Sequence, residues 1–203
     1  MPACASSVNL PKRTKKLAAN SSTKRLILAG VIAVVVALLD QGTKYLAVQN
    51  LTLGESVEVF GRFFMLTLIY NLGGAMGTNF GTPTYYLISS ILILVLVVVY
   101  AWFHRDQWRI LFPLGLVAGG AIGNIVDRIA YGKVVDFLDF DFFNMNLFGY
   151  QIDRWWTFNI ADAAISVAIV LLFINIIFLS PNKDEQQSSS EPSPEIPPYG
   201  GQI

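Results

Sequence analysis

One cysteine and one histidine among 203 residues leave little thiol or metal chemistry open to this chain. Cys4 has no partner for an intramolecular disulfide, and no Cys/His cluster exists to hold zinc. Charge is scarce as well: 14% of residues are Asp, Glu, Lys or Arg, against roughly 25% in soluble domains. The 14 Lys and Arg balance the 14 Asp and Glu, so the basic excess that a nucleic-acid binder directs at phosphates is missing. Hydrophobic residues make up 54% of the chain, and this composition argues against a soluble enzyme.

What the chain has is long apolar runs. Four are long enough to cross a bilayer core, which takes about 20 helical residues: Leu26 to Val48, Tyr85 to Phe103, Ile110 to Tyr131 and Phe158 to Leu179. The second is uncharged, but the first holds Asp40 and Lys44, the third ends in Asp127 and Arg128, and the fourth opens with Asp162. Lys12, Arg13, Lys15, Lys16, Lys24 and Arg25 precede the first run, and Arg105 and Arg109 separate the second from the third. Cytoplasmic flanks are enriched in such residues, so both segments, and both termini, are expected in the cytoplasm. Residues 1–25 read as a basic cytoplasmic extension, too hydrophilic for a cleaved signal peptide. Residues 26–179 form the membrane domain, and the Ser, Pro and Glu-rich residues 180–203 read as a disordered cytoplasmic tail.

The two remaining connections face the other side. Val57 to Phe60, a Gly61-Arg62 turn and Phe63 to Tyr70 suggest a small strand pair. Eight of the 20 residues from Phe137 to Trp156 are aromatic, a composition that favours the headgroup level. The expected fold is therefore an α-helical integral membrane protein, with four transmembrane helices, a small extracytoplasmic β-sheet and an interfacial aromatic loop.

This topology brings the unusual polar residues to the outer face. Residues three or four apart share a helix face, so Asn124, Asp127 and Arg128 line one stripe of the third span, and Asn159 and Asp162 one stripe of the fourth. Ionisable groups at membrane depth cost at least about 2.5 to 3.5 kcal/mol on insertion scales, and so are usually paired or functional. Asp40 with Lys44, and Asp127 with its neighbour Arg128, read mainly as structural salt bridges. Gly119, Gly120 and Gly123 read as small residues that let helices approach, and His104 as a solvated boundary residue.

Asp136 and Asp162 have no such cationic partner in sequence and can meet in one leaflet. Two carboxylates in a partly desolvated site cannot both ionise, which supplies an acid and a base together. That chemistry suits aspartic peptide hydrolysis. Asn71, Asn124, Arg128 and Asn159 add donors for an extended peptide. A His-Glu-x-x-His motif, a Gly-x-Ser-x-Gly elbow and a His beside a nucleophile are all absent.

Five blocks then appear in order: Leu39-Asp40-Gln41-Gly42-Thr43-Lys44; Tyr70 to Gly77; Gly119 to Arg128; Gly132-Lys133-Val134-Val135-Asp136-Phe137; and Phe158-Asn159-Ile160-Ala161-Asp162-Ala163. In this the chain resembles lipoprotein signal peptidase (signal peptidase II), a bacterial membrane aspartic peptidase family. The resemblance implies Asp136 and Asp162 as the catalytic pair, Asn71, Asn124, Arg128 and Asn159 as substrate-contacting positions, and Asp40, Lys44 and Asp127 as supports. It implies neither cofactor nor metal. The implied substrates are diacylglyceryl-modified prolipoproteins, cut just before the lipidated cysteine at the outer face of the cytoplasmic (inner) membrane, with membrane lipid around a monomeric enzyme. The connection from Asp136 to Asp162 is longer than is typical of the family, with Asn144 to Tyr150 standing as inserted sequence. The rival readings are a small proton-coupled carrier, which would use intramembrane Asp residues as a relay, and a non-enzymatic lipoprotein-assembly subunit.

Overall fold

The computed structural model describes residues 12–74, 81–141, 145–147, 150–152 and 154–179. Cys4, the 180–203 tail and residues 75–77 of the second block lie outside these described residues. Four helices, α1 (Lys12–Asn50), α2 (Pro83–Phe103), α3 (Trp108–Tyr131) and α4 (Ile160–Leu179), are each long and apolar enough to span a bilayer. Their exposed Leu38, Leu92, Ile129 and Phe173 suit hydrocarbon surroundings.

α1 starts well before the expected Leu26. No Gly or Pro interrupts Lys12 to Arg25, so helix formers carry the same helix into the basic segment. Ser22 donates to the Asp106 carboxylate and Arg25 to the Asp106 carbonyl, tying this end of α1 to the α2–α3 connection. α2 begins at Pro83 behind the N-cap Thr82, whose side chain accepts the Tyr85 N–H, an arrangement suited to Pro at the first helical position.

α3 is the central helix and packs against the other three. A Cβ added to Gly119 would lie 2.6 Å from the Ala33 carbonyl oxygen of α1, and one on Gly120 would lie 2.5 Å from the Ala161 carbonyl oxygen of α4. Only glycine permits both approaches, as small residues do between membrane helices. At its far end Gly132 adopts φ +68° and returns its N–H to the Arg128 carbonyl, a left-handed cap that turns the chain into the next strand.

That strand, β3 (Val134–Phe140), joins β1 (Ser56–Phe60) and β2 (Phe64–Asn71) in an antiparallel sheet of order β1-β2-β3. The strand pair expected from sequence is present, and a third strand extends it. Val134 and Val135, which fall in the connection between the third and fourth spans, pair with Asn71 and Tyr70, because the inner edge of β2 offers backbone partners that a buried strand must find. Ala47, Leu68, Val135 and Phe137 form a core beneath the sheet. The inserted stretch contributes a second pair, β4 (Met145–Leu147) with β5 (Tyr150–Ile152). Residues 142–144, 148–149 and 153 of the aromatic loop lie outside the described residues.

Candidate active site

The start of β3 and the start of α4 place Asp136 and Asp162 in one hydrogen-bonded cluster. Asn159 immediately precedes α4. Its side-chain oxygen accepts the Asp162 N–H at 2.9 Å, and the Asp162 carboxylate accepts the Asn159 N–H at 3.4 Å. This is the reciprocal capping that Asn at the N-cap and an acid three residues later provide. The expected fourth span began at Phe158; Phe158 instead bridges to Leu138 of β3, and the cap sets the helix start at Ile160.

Asn159 also joins the second carboxylate. Its amide donates to Asp136 Oδ1 at 2.6 Å, to the Val135 carbonyl at 3.2 Å and to Asn124 Oδ1 at 3.2 Å. Asn124 in turn donates to Asp162 Oδ1 at 2.9 Å, and Asn71 donates to Asp136 Oδ2 at 3.2 Å. Asp136 is buried, whereas Asp162 is half-buried. Burial first, and then the charge of Asp162, push the Asp136 carboxyl up to about 7, against the opposing hydrogen bonds from Asn71 and Asn159. An Asp136 carboxyl raised this far is suited to hold a proton near neutral pH.

Behind the pair lies a buried ion cluster. Lys44 Nζ stands 2.7 Å from Asp40 Oδ2, 2.8 Å from Asp127 Oδ2 and 2.9 Å from Asn124 Oδ1. The i,i+4 pairing of Asp40 with Lys44 is present as expected. Asp127, however, pairs with Lys44 across the helix interface and not with Arg128. Neighbours on a helix point about 100° apart, so Arg128 turns away and donates to the Gly73 and Asn124 carbonyls. Each acid of the cluster also grips the backbone one residue ahead of a candidate aspartate: Asp127 accepts the Val135 N–H at 3.0 Å, and Asp40 accepts the Ala161 N–H at 2.9 Å.

Gln41 was not singled out from the sequence. It donates to Asp127 Oδ1 at 2.8 Å and to the Gly123 carbonyl at 3.1 Å; its signal was an amide beside a charged residue in an apolar run. Asn124 and Asn159 are buried with their amides bound to carboxylates, which turns them inward, unlike the half-exposed Asn71 and Arg128. Among the described residues no three His, Cys, Asp or Glu side chains form a metal-binding group.

The family model described as signal peptidase (SPase) II matches residues 32–178. A lipoprotein signal peptidase of Pelodictyon phaeoclathratiforme (strain DSM 5477 / BU-1) is 40% identical over 145 residues, covering 70% of this chain and 86% of that protein. One from Staphylococcus aureus (strain JH9) is 36% identical over 160 residues, covering 77% and 92%. Two solved structures of a bacterial membrane enzyme superpose with a TM-score of 0.62. The one at 2.3 Å resolution is 32% identical and covers 82% of this chain and 93% of its own, and the one at 1.9 Å is 33% identical and covers 75% and 94%. A match this long, over a cluster built from the same five blocks, means that the chain belongs to the signal peptidase II family and is an aspartic-type membrane peptidase.

Proposed function

We propose that Asp136 and Asp162 are the hydrolytic pair of this lipoprotein signal peptidase. We further propose that they cut diacylglyceryl-modified prolipoproteins just before the lipidated cysteine. The observation that carries this reading is Asn159, which holds one carboxylate by its side-chain amide and the other by reciprocal capping. The ionised member takes a proton from water as the water oxygen attacks the scissile carbonyl carbon. The protonated member donates to the carbonyl oxygen, and the leaving nitrogen collects a proton as the C–N bond breaks.

Asn124 and Asn159 act as positioning residues, and Asn71 and Arg128 face the substrate backbone. The Asp40, Lys44 and Asp127 cluster fixes the height of both strand and helix. The clustering of carboxylates at one end, with an uncharged α2, favours hydrolysis over a proton relay crossing the membrane. By the Lys and Arg distribution, the site faces the extracytoplasmic side of the inner membrane and both termini lie in the cytoplasm. One chain supplies every group named here, which supports a monomeric enzyme. The sheet and the aromatic loop form a cradle and lid over the substrate.

The test is cleavage of a purified diacylglyceryl-modified prolipoprotein by the detergent-solubilised chain. Parent activity, with Asp136→Asn and Asp162→Asn both folded and inactive, is the expected result. A folded variant with full activity overturns the assignment.

A further inference from the structure

At the end of the bundle away from the aspartates, α3 and α4 flank an open groove of about 220 Å³. Its walls include Trp108, Arg109, Phe112 and Pro113 of α3, and Leu171 and Asn175 of α4. Asn175 lies 13 residues along α4 from Asp162, or about 20 Å at 1.5 Å per residue, so the groove opens near the opposite membrane boundary.

Two polar side chains there have no partner among the described residues. The exposed Arg109 guanidinium and the half-buried Asn175 amide form no hydrogen bond or ion pair with any of them. Pro113 has no N–H, so the Arg109 carbonyl lacks its helical donor. An amide on an otherwise apolar, lipid-facing helix is expensive to leave unpaired. Neither the hydrolytic cluster nor the helix packing uses these groups.

We infer that this groove binds an anionic glycerophospholipid of the leaflet opposite the aspartates, with its phosphate on Arg109 and Asn175 and an acyl chain along Phe112 and Leu171. The guanidinium and the amide N–H are donors that suit phosphate oxygens. The apolar walls continue into the exposed Val167 and Val170 surface of α4, which suits a chain-bearing ligand over a free anion. Trp108 stands at the boundary, where such rings settle. The surrounding charge sets the lipid class: Lys24, Arg25 and Arg105 belong to the same end and outnumber its one acid, Asp106, whose carboxylate accepts from Ser22 and whose backbone carbonyl accepts from Arg25. Basic pockets between membrane helices select negative headgroups in this way.

The test uses the purified full chain in a non-ionic detergent. Thermal unfolding is followed with added phosphatidylglycerol, phosphatidylcholine or inorganic phosphate. Phosphatidylglycerol is expected to raise the unfolding temperature by about 5 °C, and phosphatidylcholine and inorganic phosphate to leave it unchanged. Arg109→Gln and Asn175→Leu should each lose at least half of that rise, while Arg62→Gln, in the β1–β2 turn at the aspartate end, keeps it. Should Arg109→Gln fail to fold, Asn175→Leu alone decides between the outcomes. An equal rise with phosphatidylcholine or inorganic phosphate, or a full rise in the folded variants, overturns the proposal.

Discussion

Asn159 and Asp162 cap one another at the start of α4, with Asn159 Oδ1 on the Asp162 N–H at 2.9 Å and Asp162 Oδ2 on the Asn159 N–H at 3.4 Å. The same Asn159 holds Asp136 at 2.6 Å, so one side chain serves both the helix cap and the carboxylate pair, two contacts that substitution can separate.

Asn159→Ser keeps an oxygen able to cap α4 but removes the amide that reaches Asp136. Its unfolding temperature should fall, because buried acceptors lose their donor, but by less than in Asn159→Ala, while kcat falls on the order of 10²-fold, as expected when a proton-transfer group loses its alignment. Asn159→Ala should show the same loss of kcat and also a cap cost of about 1 kcal/mol. Steady-state cleavage with parallel thermal unfolding checks both. A Ser variant with parental kcat removes Asn159 from the mechanism.

The raised Asp136 carboxyl gives a signed dependence on pH. A group whose folded value is about 7, against an ordinary 3.8, binds its proton more tightly when folded. The stability it contributes is therefore complete below pH 3.8 and is lost as the pH rises towards 7. Thermal unfolding of the parent should fall between pH 4.5 and pH 7.5 relative to Asp136→Asn (roughly the window between those two values). The alkaline limb of kcat/KM should be centred near 7, as a property of the carboxylate pair. A flat difference between parent and variant across that range contradicts the burial of Asp136.

Much of the site is legible in the chain itself. The spans set which residues share an end of the bundle, so Asp136 and Asp162 could be paired across 26 residues of sequence. What sequence distance hides is the partner across a helix interface. Asp127 lies next to Arg128 in the chain, yet its cation is Lys44, brought over by the close α1–α3 approach at Gly119. β3 was missed because a strand buried on most of its positions has no alternating pattern to announce it. The role of Asn159 was blurred for a related reason: spacing alone does not distinguish a residue inside a helix from the one that caps it.

The ion cluster supports a prediction of stability. Lys44→Met leaves Asp40 and Asp127 buried without their cation, and removing one member of a buried pair costs about 3–5 kcal/mol. Lys44→Met combined with Asp40→Asn and Asp127→Asn removes the stranded charges and should recover part of that loss. Activity should not return with it, since Asn is a weaker acceptor for the Val135 and Ala161 N–H groups that set the height of the aspartates. Equilibrium unfolding and kcat, measured on the single and triple variants, separate the two effects.

The central helix provides the last contrast. At Gly119 an added Cβ would meet the Ala33 carbonyl oxygen at 2.6 Å and the Val36 Cβ at 2.7 Å, whereas at Gly30 nothing lies within 4 Å. Backbone cannot yield as a flexible side chain can, so Gly119→Ala must push α1 from α3, at a cost of about 1–3 kcal/mol. That displacement also pulls Lys44 from Asp127, since both sit on the same two helices. Gly119→Ala should therefore lower the unfolding temperature and reduce cleavage together, while Gly30→Ala, which gains helix propensity without a clash, stabilises by up to about 1 kcal/mol and leaves cleavage intact. Equal behaviour of the two variants would mean that the α1–α3 contact does not hold the cluster in register.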